Sequence, residues 1–305
     1  MGNNMTDLQL IVTQGPYSSF IEEVASLKIV AGIRLNTIMP IKEGRVEEKL
    51  QELLSQIAPK TLWIDLKARQ LRVSEFANTP YTVVTISHKI SVKLPNTVYF
   101  DNGNITGKLV DIDGNKLILE DYVGRLLGPG ESVNIIDDSL KYLEPELLTE
   151  RDLMYVELCR KLGIRHFMLS FVESKSDIEH LKNLYPGSSV MAKIESKKGF
   201  NKLEEITPVS DAIMAARGDL YTEVDYPHQI VEALKKIKRV AGEKSIAASR
   251  MLESLLKRPV PSCPDIMDLQ FLKEMGYSKF LIGDDICFKR DLLLKAIKIF
   301  TAIFA

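Results

Sequence analysis

Short apolar runs alternate with amphipathic stretches along most of the chain. Leu8-Gln-Leu-Ile-Val-Thr13 is β-branched and apolar and stops at Gln-Gly-Pro16, the pattern of a strand followed by a turn. Ser18 and Ser19 can cap a helix to about Leu27, and Ile29 to Asn36 reads as a second strand. Alternation along that strand puts Arg34 and Asn36 on one face. Val46, Leu50, Leu53, Leu54 and Ile57 then recur at helical spacing within 44–57. Thr61-Leu-Trp-Ile-Asp65 makes a third strand, ending in the charge-rich segment Asp65 to Arg72.

The rhythm changes at Val73. Up to about Leu143 the chain offers only short alternating runs: 81–86, 91–94, 97–100, 105–110 and 116–119. Asp101-Asn-Gly103, Asp113-Gly-Asn115 and Gly128-Pro-Gly130 separate them, and Asn-Gly or Asp-Gly between such runs is a strong hairpin signal. Thr149-Glu-Arg-Asp152 then caps a helix to Leu162. His166–Val172, Val190–Ile194, Ala212–Ala216, Ser245–Ser249 and Lys279–Gly283 read as five more strands. Helices are expected between them: one capped by Ser176, then 199–206, 227–241 and 267–275, with a last from about Asp291. Eight strands alternating with helices predict an α/β protein, a (β/α)8 TIM barrel formed by residues 1–72 and 144–305. Residues 73–143 form a small all-β lid domain inserted after the third strand.

Composition narrows the function classes. The chain has 305 residues, 45% hydrophobic and 27% charged, with a net charge of −1. That balance implies neither a nucleic acid nor an anionic membrane as partner. No apolar run approaches a membrane span, and the start shows no basic-then-apolar signal peptide. Cys159, Cys263 and Cys287 are scattered, odd in number and without metal-ligand spacing, which favours a reducing, cytoplasmic setting. Met-Gly-Asn-Asn-Met-Thr6 fits a loose N-myristoylation pattern and is read as chance.

In a parallel α/β fold, side chains at the carboxyl ends of strands line the active site. Arg34 and Asn36, then Asp65, Lys67 and Arg72, occupy the ends of the second and third strands. Ser170 follows the fourth, Lys193 and Glu195 the fifth, Arg217, Gly218 and Asp219 the sixth, Ser249 and Arg250 the seventh. Arginine and lysine suit a phosphate or carboxylate, while Glu195 and Asp219 supply the hard oxygens that Mg2+ prefers. The set suits a small phosphorylated acid.

Met191-Ala-Lys-Ile-Glu195, Ala215-Ala-Arg-Gly-Asp-Leu220 and Ser249-Arg-Met-Leu-Glu-Ser254 resemble the K-I-E, A-R-G-D-L and T-Q-M-L-E-S motifs of the pyruvate kinase family. Val12 to Ser18, Gly32 to Asn36, Asp65 to Arg72, Leu148 to Asp152 and Ser170 to Ser174 extend the likeness over nearly the whole chain. The family's C-terminal regulatory domain has no counterpart in it. The resemblance implies that Lys193, with Arg34 and Arg72, neutralises a transferring phosphoryl group, and that Glu195 and Asp219 hold Mg2+, or Mn2+ in its place. It also implies a substrate phosphoenolpyruvate, whose carboxylate meets the Arg217–Gly218–Asp219 backbone and Ser249, with Ser170 close by. Ser249 stands where the family has a threonine near the proton delivered to the enolate carbon.

The nucleotide and potassium side departs from that pattern. Pro16, Arg34 and Asn36 are the positions the resemblance gives to ADP, but R-x-N-x-S-H reads Arg34-Leu-Asn-Thr-Ile-Met39 here. Asn36 and Asp65 are what remains of the K+ site, since Ile38 and Leu66 have no ligating side chain. Gln70 replaces the glutamate of G-P-E-I-R, and S-G-E-T-A becomes Ile282-Gly-Asp-Asp-Ile286. Two readings follow: a compact pyruvate kinase making pyruvate and ATP, or a Mg2+-dependent lyase or aldolase of the same substrate class that has lost nucleotide and K+. A non-catalytic homologue is a third. Family members assemble into tetramers, so a homo-oligomer is compatible with each.

Overall fold

The computed structural model describes residues 8–304 apart from Glu43, 78–81 and Pro145; the N-terminal Met-Gly motif and Tyr81 lie outside the described residues. The first three strands are β1 (Gln9–Thr13), β2 (Val30–Asn36) and β3 (Thr61–Leu66). The later barrel strands follow a β-rich insertion. In it lie β4 (Val83–Thr85), β5 (Ile90–Ser91), β6 (Asn96–Phe100), β7 (Ile105–Asp113), β8 (Lys116–Leu119), β9 (Val133–Asn134) and β10 (Lys141–Tyr142). The alternation resumes with β11 (His166–Leu169), β12 (Ser189–Ile194), β13 (Ala212–Ala216), β14 (Ser245–Ala248) and β15 (Lys279–Ile282).

The eight barrel strands close in the order β1-β15-β14-β13-β12-β11-β3-β2, every pair parallel. Closure joins the two ends of the chain's alternation, Gln9 opposite Lys279 and Val12 opposite Ile282, and leaves no sheet edge. This is the expected TIM barrel. The helices outside it bury the faces their spacing marks: Val46, Leu50, Leu53 and Ile57 on one, Ala233, Leu234, Ile237 and Ala241 on another. In the insertion, β4-β8-β7-β6-β9 form an antiparallel sheet, with β5 and β10 paired separately. Val84, Val98, Phe100, Leu109, Leu117 and Val133 give that sheet a core of its own. Of the run 91–94 only Ser91 is in a strand.

Several local expectations shift. The helix after β11 starts at Lys175 and is capped by Ser174 with Asp177 rather than by Ser176. The helix before β2 begins at Ile21 without a side-chain cap, because the Ser18 hydroxyl donates to Gln14 instead. The stretch 199–206 is two short helices, Lys197–Asn201 and Leu203–Ile206, the first capped by Ser196 accepting from the Gly199 N–H. A Cβ on Gly199 would stand 2.2 Å from the Val172 carbonyl oxygen, so only glycine lets this helix pack under the loop after β11. Asp152 is more than a helix cap. Its carboxylate accepts from Thr149 and also from the backbone N–H groups of Lys67 (2.9 Å) and Ala68 (3.0 Å), pinning the loop that leaves β3.

Candidate active site

Strand alternation stacks the barrel interior in layers. Ile11, Met168, Met191, Met214, Ile246 and Leu281 form an apolar floor. Two residues further along the same strands, Thr13, Ser170 and Lys193 point the same way, and Arg34 and Asp65 join them from β2 and β3. All five are buried, with Asp65 and Ser170 at 0% exposure. Gly32 is the floor position of β2, where a Cβ would meet the Trp63 ring at 3.0 Å. A charged layer therefore sits on a dry base, where ionic interactions are little screened.

Asp65 is the hub of that layer. One carboxylate oxygen accepts from Arg34 Nε at 2.8 Å and Nη2 at 2.5 Å. The other accepts from Ser170 Oγ at 3.3 Å and Lys193 Nζ at 3.4 Å, and Lys193 also donates to Ser170 Oγ at 2.8 Å. Burial alone would raise the Asp65 pKa; Lys193, Lys67 and Arg34 overturn that and hold it far below the usual carboxylate range. Lys67 stands 3.7 Å from the same carboxylate. Burial pushes its ammonium down to about 7 against the pull of Asp65, with repulsion from Lys193, Arg72 and Arg34 adding to the fall. Lys193 moves the other way, because Asp65 and Glu195 outweigh its burial.

The two carboxylates expected to hold a metal lie at the next level out. Glu195 Oε1 is 3.1 Å from Lys193 Nζ, and Oε2 accepts from the Phe171 N–H at 2.9 Å. Phe171 has φ +49, a conformation uncommon outside glycine, and that turn accompanies its N–H donation to Glu195. Ala68, Ser249 and Arg250 share this left-handed backbone just past other barrel strands. Asp219 accepts from Gln70 Nε2 and from Asn134 Nδ2, each at 3.2 Å. Glu195 is pushed up, first by burial and then by Asp219 and Asp65, against Lys193.

Several buried polar atoms here have no hydrogen-bond partner: Lys67 Nζ and Arg72 Nε as donors, Gln70 Oε1 and Asn134 Oδ1 as acceptors. Buried polar groups are rarely left so. Donors and acceptors orphaned together fit a site that takes an anion and a hydrated cation side by side. Among the described residues no cluster of three or more acidic, histidine or cysteine side chains could hold a metal. Mg2+ does not require one; one or two carboxylates plus water and substrate complete its shell.

The remaining candidates divide. Asn36 reaches the rim but donates to Asp284 Oδ2 at 3.2 Å. Arg72 turns towards the inserted domain, donating to the Gly130 carbonyl at 2.9 Å. The Arg217 guanidinium pairs with Asp268 and the Ser249 carbonyl, so it braces the loops after β13 and β14. Gly218 faces the Ser249 hydroxyl, 3.6 Å from where its Cβ would be. Pro16 lies in the turn past β1, outside the Asp65 network. The sequence marks Asp284 only as one of two acids in the altered Ile282–Ile286 segment and passes over Thr13; in the structure Asp284 pairs with Arg34, and Thr13 accepts from Arg34 at 3.0 Å. Asp284 lies two residues past the end of the last strand, so the strand-end rule that found the others also reaches it.

Known proteins resemble this chain over much of its length. The family described as pyruvate kinase, barrel domain, matches residues 75–271. A pyruvate kinase of Methanocaldococcus jannaschii is 27% identical over 285 residues, covering 87% of this chain and 62% of that protein. One from Thermotoga maritima is 25% identical, covering 87% and 63%. One from Methylorubrum extorquens is 30% identical over 176 residues, covering 56% and 36%. The chain thus spans less than two thirds of the length of these relatives. With the family matched over most of the chain, on a closed eight-stranded barrel, the chain belongs to the pyruvate kinase family.

Proposed function

We propose that the chain transfers the phosphoryl group of phosphoenolpyruvate to ADP, giving pyruvate and ATP, with Mg2+ held by Glu195 and Asp219. The observation that carries this reading is the Lys193 ammonium, fixed by Ser170, Asp65 and Glu195 and opening onto the level of the two carboxylates. Phosphoryl transfer asks little covalent chemistry of a protein; it asks for positioned charge. Lys193 stays protonated and supplies that charge above a buried apolar floor. Lys67 Nζ, ion-paired with Asp65 but making no hydrogen bond, is a further cation for phosphoryl or carboxylate oxygens. When bound, Mg2+ adds charge that offsets what builds up on the phosphoryl and enolate oxygens. The Ser249 hydroxyl, beside Gly218, is the group for proton delivery to the enolate carbon.

One observation favours a second reading. Every nitrogen of Arg34 is engaged within the chain, Nε and Nη2 by Asp65, Nη1 by Thr13 and Asp284. A guanidinium so occupied offers little to a nucleotide phosphate, and a lyase or aldolase acting on pyruvate or oxaloacetate would need none. A coupled assay for pyruvate with Mg2+, with or without K+, run once on phosphoenolpyruvate plus ADP and once on oxaloacetate, decides between the two. ATP formed in step with pyruvate supports phosphotransfer. Pyruvate released from oxaloacetate, without ATP from phosphoenolpyruvate, transfers the assignment to the lyase.

A further inference from the structure

Asp219 is held by two carboxamides from different parts of the fold. Gln70 comes from the loop after β3 and Asn134 from β9 of the inserted domain, and each is 2% exposed. Each NH2 group donates to one Asp219 oxygen, so both carboxylate oxygens are oriented. The same side chains carry two of the buried acceptors that have no partner, Gln70 Oε1 and Asn134 Oδ1. A carboxamide that only braced Asp219 would leave no reason for its oxygen to be buried and unpaired. An unpaired buried acceptor is costly unless water or a ligand satisfies it. A hydrated divalent cation at Glu195 and Asp219 brings such water, whose hydrogens point away from the metal.

We propose that Gln70 and Asn134 are positioning residues for the divalent cation, orienting Asp219 through their NH2 groups and accepting from the cation's bound water through their oxygens. The proposal rests on the metal reading above and adds the residues that set its affinity. Gln70 also stands where the resemblance to the family gives a glutamate, so this chain places a neutral acceptor where the motif has an acidic one.

The test is Mn2+ binding followed by electron paramagnetic resonance, with thermal melts to establish that each variant is folded. The wild type binds Mn2+ and Glu195→Gln loses it. Gln70→Met, of similar size and without a polar oxygen, weakens binding 10- to 100-fold, the usual effect of removing a group that orients a metal ligand. Asn134→Leu does the same. Gln70→Glu keeps an oxygen in place but cannot donate to Asp219, and it binds within tenfold of wild type or more tightly. Equal affinity in wild type, Gln70→Met and Asn134→Leu overturns the proposal, as does Gln70→Glu failing as badly as Gln70→Met, which would leave only the brace. Absence of Mn2+ binding by the wild type overturns the metal reading itself and is read separately.

Discussion

Lys193 is informative because its neighbours leave it one job. Its charge is buried, yet Asp65 and Glu195 hold its pKa up, so it acts as a fixed charge and not by giving up its proton. Lys193→Met should lower phosphotransfer by at least about 10²–10³-fold, the usual cost of removing one preorganised charge, with the near-ultraviolet circular dichroism unchanged. Turnover near wild type in a folded variant would show the charge is not used. Asp284 makes the complementary case. Asp284→Asn leaves Arg34 with one anionic partner fewer, so if phosphate must compete for Arg34, the KM for ADP falls several-fold in the variant. An unchanged KM would mean Arg34 is not on the nucleotide's path. At this scale the placement of Lys193, Glu195 and Asp219 at or just past the ends of β12 and β13 is legible from sequence, because each closes an apolar run with abrupt charge. The pairing of Arg34 with Thr13 and Asp284 is not, because it depends on the registers of β1, β2 and β15 in a closed barrel.

Elements carry the site through loops that the sequence marks only in part. The helix Lys197–Asn201 fits under the loop after β11 because Gly199 has no Cβ, and that loop presents the Phe171 N–H to Glu195. Gly199→Ala should destabilise the fold by roughly 2–3 kcal/mol, the range for an overpacked contact that must move backbone, read as a lower urea midpoint. A Gly199 signal was present in the sequence, but it reads equally well as a helix start, and only the approach of the Val172 carbonyl shows what it is for. The helix Arg217–Glu223 joins the inserted domain through Glu223, which accepts from Asn134 at 3.4 Å. Burial pushes the Glu223 carboxyl up to about 7, against the Asn134 and Lys197 hydrogen bonds and with help from Asp219 and Glu173. Between the ordinary carboxylate pKa and about 7 the folded chain keeps a proton that the unfolded chain gives up. Stability from this group is therefore fully present at acid pH and is lost as pH rises to about 7, by roughly 3 kcal/mol over the window. Glu223→Gln should flatten that slope in denaturation curves taken from pH 5 to 8. An unchanged slope would assign the pH dependence to another group.

The whole molecule was legible to the extent that its rhythm was regular. Eight apolar runs interrupted by helices lead to a barrel, and hairpin signals lead to the inserted sheets, because those patterns follow from side-chain periodicity alone. Among the described residues no helix is long and apolar enough to cross a membrane. The inserted domain meets the barrel at Asp219, since Asn134 of β9 donates to that carboxylate just past β13. A cation there should stabilise the folded chain in proportion to its saturation, by RT ln(1 + [Mg2+]/Kd), raising the melting temperature in wild type but not in Asp219→Asn. We propose that the rim of Lys193, Glu195 and Asp219 handles phosphoenolpyruvate with a divalent cation, and phosphorus NMR of phosphoenolpyruvate shows whether it does. With Mg2+ and ADP present, its signal should disappear as the ATP signals grow, and removal of Mg2+ or the Lys193→Met substitution should stop both changes. A phosphoenolpyruvate signal that neither shifts nor decays on adding enzyme, with Mg2+ or Mn2+ and with or without ADP, would mean that the rim neither binds nor turns over phosphoenolpyruvate.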